Sequence, residues 1–149
     1  MIISKNTIDI IKKHNACKDW IKWAEDNIGA DINTAPANYF LWFVGVCTKE
    51  IPKGYKKFFN DCVKENPWSA LQYASSLLPT DLLEWCAREK PLGALKHAAS
   101  LLTDNLLKWC AKENPVAALG FAYSLLPPGL LKWCAENRHR RAPVYRRVK

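Results

Sequence analysis

Long hydrophobic runs are missing from this chain. The longest, Tyr39 to Cys47, falls far short of the roughly 20 apolar residues that cross a bilayer. The opening Met1-Ile2-Ile3-Ser4-Lys5-Asn6 lacks the apolar stretch and small-residue cleavage site of a signal peptide. A soluble, intracellular (cytoplasmic) protein is therefore the expectation, with no membrane partner. Histidine is scarce: His14, His97 and His139 have no local spacing that binds a metal or activates a nucleophile. The six glycines are scattered and form no phosphate-cradling loop. Glu65, Glu89 and Glu113 recur at 24-residue intervals and read as surface residues rather than an acid/base pair. These absences point away from enzymes, cofactors and metals.

What is present begins with charge. The formal charge of +8 suggests nucleic acid until it is divided along the chain. Residues 137–149 hold Arg138, Arg140, Arg141, Arg146, Arg147 and Lys149 with no acid, giving +6. Residues 61–136 carry −1 and residues 1–60 carry +3. The basicity is mostly a tail, and a whole-chain argument from net charge misleads.

Six cysteines are an even number, which in a small secreted protein suggests disulfides. Cys62, Cys86, Cys110 and Cys134, however, stand 24 residues apart. They mark one repeated structural position. Packed helices lie about 8–10 Å apart, whereas a disulfide needs Cα atoms within about 7 Å. The interval also lacks the close pairing of a zinc site. Reduced, buried cysteines acting as small apolar residues are the expectation.

The same period organises everything around them. Pro67 to Lys90, Pro91 to Asn114 and Pro115 to Arg138 align without gaps. Each segment has Pro first, then Ala-Leu (Ala70-Leu71, Ala94-Leu95, Ala118-Leu119), an Ala (74, 98, 122), a Ser (76, 100, 124) and Leu-Leu (77-78, 101-102, 125-126). A second Leu-Leu follows (82-83, 106-107, 130-131), then Trp-Cys-Ala (85–87, 109–111, 133–135). Phe58 to Asn66 is a partial earlier copy of the second half, and Trp20 to Asn27 echoes Leu130 to Asn137.

Each unit reads as two helices. Asn66-Pro67 and Asn114-Pro115 supply an N-cap side chain and a Pro at the first helical position. Positions 70, 71, 74, 77 and 78 form a helical stripe. The second helix is expected from about Leu82 to Glu89. Helices this short are marginal alone and persist by burying their stripes against neighbours. Asn38 to Thr48 reads as a more hydrophobic helix within an N-terminal cap of three or four.

The Pro-start, Ala-Leu, Leu-Leu hairpin resembles the HEAT-like and armadillo-like helical repeats, although its 24-residue unit is shorter than theirs. It is also similar to short helical-hairpin repeats of uncharacterised function in bacterial effector and viral proteins, with runs such as Ala70-Leu71-Gln72-Tyr73-Ala74-Ser75. The expected fold is all-α, a compact α-solenoid of stacked helical hairpins. Residues 1–57 would form an atypical N-terminal cap, 58–138 the repeats, and 139–149 a basic, flexible tail, in one structural domain. The resemblance implies architecture and no functional residue, since such scaffolds carry unrelated activities.

Candidate binding residues lie at the edges of the helical stripes. Tyr73, His97 and Phe121 occupy one repeated edge position, always a ring but never the same ring. That pattern suits a groove that reads a partner; packing against the next layer is the weightier alternative. Trp85, Trp109 and Trp133 form a second ladder. Trp is enriched at binding hot spots, yet invariance within one chain more often marks a contact made in every layer.

The tail residues Arg138, Arg140, Arg141, Arg146, Arg147 and Lys149 suit phosphates or an acidic protein. Tyr145 among them suits stacking on a base. The leading expectation is a non-enzymatic protein-interaction module. The alternatives are a nucleic-acid-binding repeat protein, aided by Lys12, Lys13, Lys53, Lys56 and Lys57, and a small phage, viral or pathogen inhibitor or effector that occupies a host protein.

Overall fold

The computed structural model describes residues 1–139. Among them the chain is all-helical, with one isolated antiparallel bridge between Ile2 and Asp31 and no strand. In chain order the helices are α1 (Lys5–Lys13), α2 (Lys18–Asp26), α3 (Ala37–Trp42), α4 (Lys56–Glu65), α5 (Pro67–Ala74), α6 (Thr80–Glu89), α7 (Pro91–His97), α8 (Asp104–Glu113), α9 (Pro115–Phe121) and α10 (Pro128–Glu136). No helix of the described residues is long and apolar enough to cross a membrane.

Local chemistry starts most of these helices. Ser4 and Thr7 cap α1 reciprocally: the Thr7 amide donates to Ser4 Oγ at 3.3 Å, and the Ser4 amide donates to Thr7 Oγ1 at 3.2 Å. In α2, Trp20 and Ala24 share one buried face at i, i+4 spacing. The echo between α2 and α10 extends to their last turns. Asn27 Nδ2 donates to the Trp23 carbonyl at 2.7 Å, and Asn137 Nδ2 donates to the Trp133 carbonyl at 2.8 Å.

The α3 helix runs on into a π-helical turn, Phe43–Thr48, ended by Lys49 in the left-handed region at φ 55°. A π turn interrupts an α-helix at some cost and is found mostly where packing or function requires it. Here Gly45 meets α5 so closely that a Cβ on it would collide with the Tyr73 carbonyl.

In the repeats the expected N-caps are present. The Ser69 amide donates to Asn66 Oδ1 and the Ala117 amide to Asn114 Oδ1, both at 3.1 Å. The middle copy has Lys90 in the same backbone conformation, φ −138° and ψ 68°, with no side-chain cap.

The first helices are shorter than their stripes suggested. They end at Ala74, His97 and Phe121, and one 3₁₀ turn follows each: Ser75–Leu77, Ala99–Leu101 and Tyr123–Leu125. Leu78 and Leu126 then turn extended because each precedes a proline, which disfavours the helical region. Leu102 does the same before Thr103, whose Oγ1 accepts the Leu106 amide at 3.4 Å. The second helices accordingly begin at Thr80, Asp104 and Pro128, earlier than Leu82 and its equivalents.

Packing alternates along the chain. The first helices touch in the order α3, α5, α7, α9, and the second helices in the order α4, α6, α8, α10. The core runs through the whole sequence of contacts. It holds Trp20, Phe40, Leu41 and Val44 at the N-terminal end, then Phe59, and then Ala70, Leu71, Ala74, Cys86, Ala94, Leu95, Cys110, Ala118 and Cys134.

Small residues set the spacing between helices. Gly93 lies against Trp68, where an added Cβ would approach the indole to 3.0 Å, and the next layer has Leu92 and Ala117 at those positions.

All six cysteines carry free thiols, and Cys62, Cys86, Cys110 and Cys134 are buried. Cys110 Sγ lies 3.9 Å from the Ala87 carbonyl, and Cys134 Sγ lies 3.8 Å from the Ala111 carbonyl. These two thiols therefore lean on the preceding copy of the repeat, which gives the Trp-Cys-Ala triplet a packing reason to recur. Burial pushes the Cys62, Cys86 and Cys110 thiols up to about 12.

Candidate functional site

The two ladders of rings behave differently from a shared groove. His97 packs edge-on against Trp68 of the preceding layer, with centroids 5.8 Å apart at 85°. Its Nε2 is buried without a partner, and burial followed by the Lys96 charge lowers its pKa, so the neutral ring is favoured. Phe121 is 52% exposed and lies under Lys96 Nζ at 5.8 Å. Tyr73 faces another environment, described below. Trp85, Trp109 and Trp133 are half-buried against the core, and the Arg88 guanidinium covers Trp109 at 5.4 Å.

Arg138 is exposed on the turn after α10, beside His139. Arg140, Arg141, Arg146, Arg147 and Lys149 lie outside the described residues. Of the N-terminal lysines, Lys12 pairs with Glu25 at 2.7 Å, while Lys13, Lys53, Lys56 and Lys57 are exposed.

A cleft of about 270 Å³ lies where the N-terminal helices meet the first repeat. Asn15, Cys17 and Trp20 come from the α1–α2 connection and α2; Asn38, Tyr39 and Trp42 come from α3; Ser69 and Tyr73 come from α5. Each contribution has a local cause. Asn15 sits at φ 58°, a conformation asparagine tolerates better than most residues, and this turns the chain from α1 into α2. Asn38 and Trp42, four residues apart, share one face of α3. The close approach at Gly45 brings α5 alongside the end of α3, which carries Tyr73 to the cleft.

Aromatic packing holds the walls. Trp20 and Tyr39 stack nearly parallel, with centroids 5.0 Å apart at 11°, and Trp23 leans on Trp20 at 5.3 Å. Burial, with smaller contributions from Cys17 and Asp19, raises the Tyr39 pKa, so its phenol remains a hydrogen-bond donor. Trp20 is 1% exposed, and its Nε1 has no acceptor. An unsatisfied buried donor costs roughly 1–3 kcal/mol.

No lining residue is charged. Among the described residues, the side-chain amides of Asn15 and Asn38 and the Ser69 hydroxyl engage no other protein group, although Ser69 is only 7% exposed. The cleft thus combines aromatic walls with unused neutral donors and acceptors, the composition expected of a small-ligand site. It offers no nucleophile–base pair among its lining residues, and no cluster of metal-ligating side chains occurs among the described residues. Of the residues singled out in the sequence, only Tyr73 belongs to it.

A second region is marked by exposure. Val116, Tyr123 and Leu125 are 60%, 62% and 45% exposed in the third layer. Ala135 is exposed there, whereas its equivalents Ala87 and Ala111 are fully buried.

The fold and these two regions define an all-α protein with an internal helical repeat. No family model matches the chain, and no curated protein or solved structure does so either.

Proposed function

We propose that the chain is a short α-solenoid of stacked helical hairpins that acts as a non-enzymatic protein-interaction module, with the open face of its third layer as the docking surface. The observation that carries this reading is the contrast at one repeated position. Ala87 and Ala111 are buried where a following layer covers them, and Ala135 is exposed. Val116, Tyr123 and Leu125 add large apolar side chains to the third layer. A partner that supplies a helix of its own would continue the packing. Clusters of exposed apolar side chains rimmed by polar residues mark interaction sites.

The test is affinity capture with the full chain at low and raised salt, beside a Val116→Ser/Tyr123→Ser/Leu125→Ser variant. The reading predicts a protein partner retained at raised salt and lost with the variant, whose helical signal and Tm stay close to the parent's. Capture that ignores the three substitutions contradicts it. Association with nucleic acid alone, falling steeply with salt, would favour a phosphate-binding role instead.

A further inference from the structure

The cleft between the N-terminal helices and the first repeat has no part in the docking surface above, and its chemistry points to a different kind of ligand. We propose that this cleft, walled by Tyr39, Trp42 and Tyr73 and edged by the free amides of Asn15 and Asn38, binds a single unpaired nucleobase.

Size is the first argument. Clefts for drug-sized ligands run from about 300 to 1,000 Å³, and this one has about 270 Å³. It takes one ring system and leaves the rest of a larger molecule outside.

Charge is the second. With no charged side chain in the lining, the group that enters is neutral. A phosphate does not suit it, and a base does.

Hydrogen-bonding pattern is the third. Each asparagine amide offers a donor and an acceptor side by side, the arrangement that matches a base edge. Asn15 and Asn38 hold theirs unused among the described residues, and the Ser69 hydroxyl adds another.

The aromatic walls then give affinity without demanding one sequence, because every base has a face that stacks. The stacked pair Trp20–Tyr39 is already fixed, so little side-chain freedom is lost on binding. The close approach at Gly45 serves the same end. Gly45 lets α5 approach, and without that approach Tyr73 would not reach the cleft.

The test is an NMR titration of the full chain, labelled at its indole nitrogens, with adenosine, guanosine, cytidine and uridine. Saturable shifts of the Trp20 and Trp42 indole signals are expected, with Trp109 and Trp133 unmoved. Asn38→Ala, an exposed position, is expected to weaken binding about tenfold with Tm unchanged. Trp42→Leu is expected to weaken it on the order of ten- to a hundredfold, the usual worth of a lost base stack.

Single-stranded oligonucleotides form the second arm. Affinity that rises from nucleoside to oligonucleotide assigns the base to a nucleic acid, and equal affinity assigns it to a free nucleoside. Three outcomes overturn the proposal. One is the absence of any saturable shift. Another is shifts spread over all seven indoles. The third is the same cleft signals produced by glucose or tetramethylammonium in place of the nucleosides.

Discussion

The two ends of this molecule solve the packing of short helices in opposite ways. From α5 onward each helical pair repeats the last: Ala and Leu face inward, Cys110 and Cys134 touch the preceding copy, and an Asn-Pro pair starts each outer copy. Before α5 the repeat survives only in part, as the copy Phe58 to Asn66 and the echo of α10 in α2. Helices are wedged by Trp20, Tyr39, Phe40 and Phe58, and α3 widens into a π turn to bring Gly45 against α5. Small residues give regular, replaceable layers. Large rings give irregular fits, and irregular fits leave a cleft.

The comparison can be broken most severely with alkali. Burial pushes the thiols of Cys62, Cys86 and Cys110 up to about 12 in the folded chain, from an ordinary value of 9.0. A group with a raised folded value contributes fully below its unfolded value and loses that contribution as pH rises through the folded one. Urea midpoints should therefore fall from about pH 9 toward about pH 12. Cys86→Ala should flatten that fall, since Ala24 fills the matching place in α2 and is fully buried there.

Gly45→Ala strikes the junction instead. It should cost about 3 kcal/mol by chemical denaturation, because the new methyl meets rigid backbone. It should also displace Tyr73 from the cleft.

Within the repeats, Ala98→Leu should cost roughly 1–3 kcal/mol, because Ala98 is buried where α7 ends. A thermal melt without loss would contradict close stacking there.

The smallest effect is a gain. Lys90→Asn places a capping side chain on a backbone already shaped like those of Asn66 and Asn114, and should add about 1 kcal/mol.

This division also explains what could be read in advance. The repeated helices are written in their own residues: Asn and Pro start them, apolar pairs line them, and the 24-residue spacing of Cys62, Cys86, Cys110 and Cys134 marks a buried position. The shortening of α5, α7 and α9 was less visible. Leu77 and Leu78 fit a helical stripe, but α5 ends at Ala74; the restriction before Pro79 accounts for Leu78 alone, and Leu102 turns extended before Thr103 without a proline. The π turn was not legible in the local sequence, and the close approach inside it joins Gly45 to Tyr73, 28 positions away.

The cleft was hidden for a related reason. It draws on residues 15–20, 38–42 and 69–73, and their meeting depends on how three helices dock. The available signal was the density of aromatics in an otherwise irregular N-terminal region, with Trp20, Trp23, Tyr39, Phe40, Trp42 and Phe43 in 24 residues.

The four repeat cysteines allow the layered account itself to be tested, because each reports on one layer. The measurement is the native-state alkylation rate of every thiol, resolved by mass spectrometry, with the exposed Cys17 as the fast reference. Stacked units fray from their ends. The account predicts that Cys134, whose layer has an open face, reacts faster than Cys86 and Cys110, and that all three lag far behind Cys17. Labelling of Cys86 or Cys110 at the rate of Cys17 would contradict it.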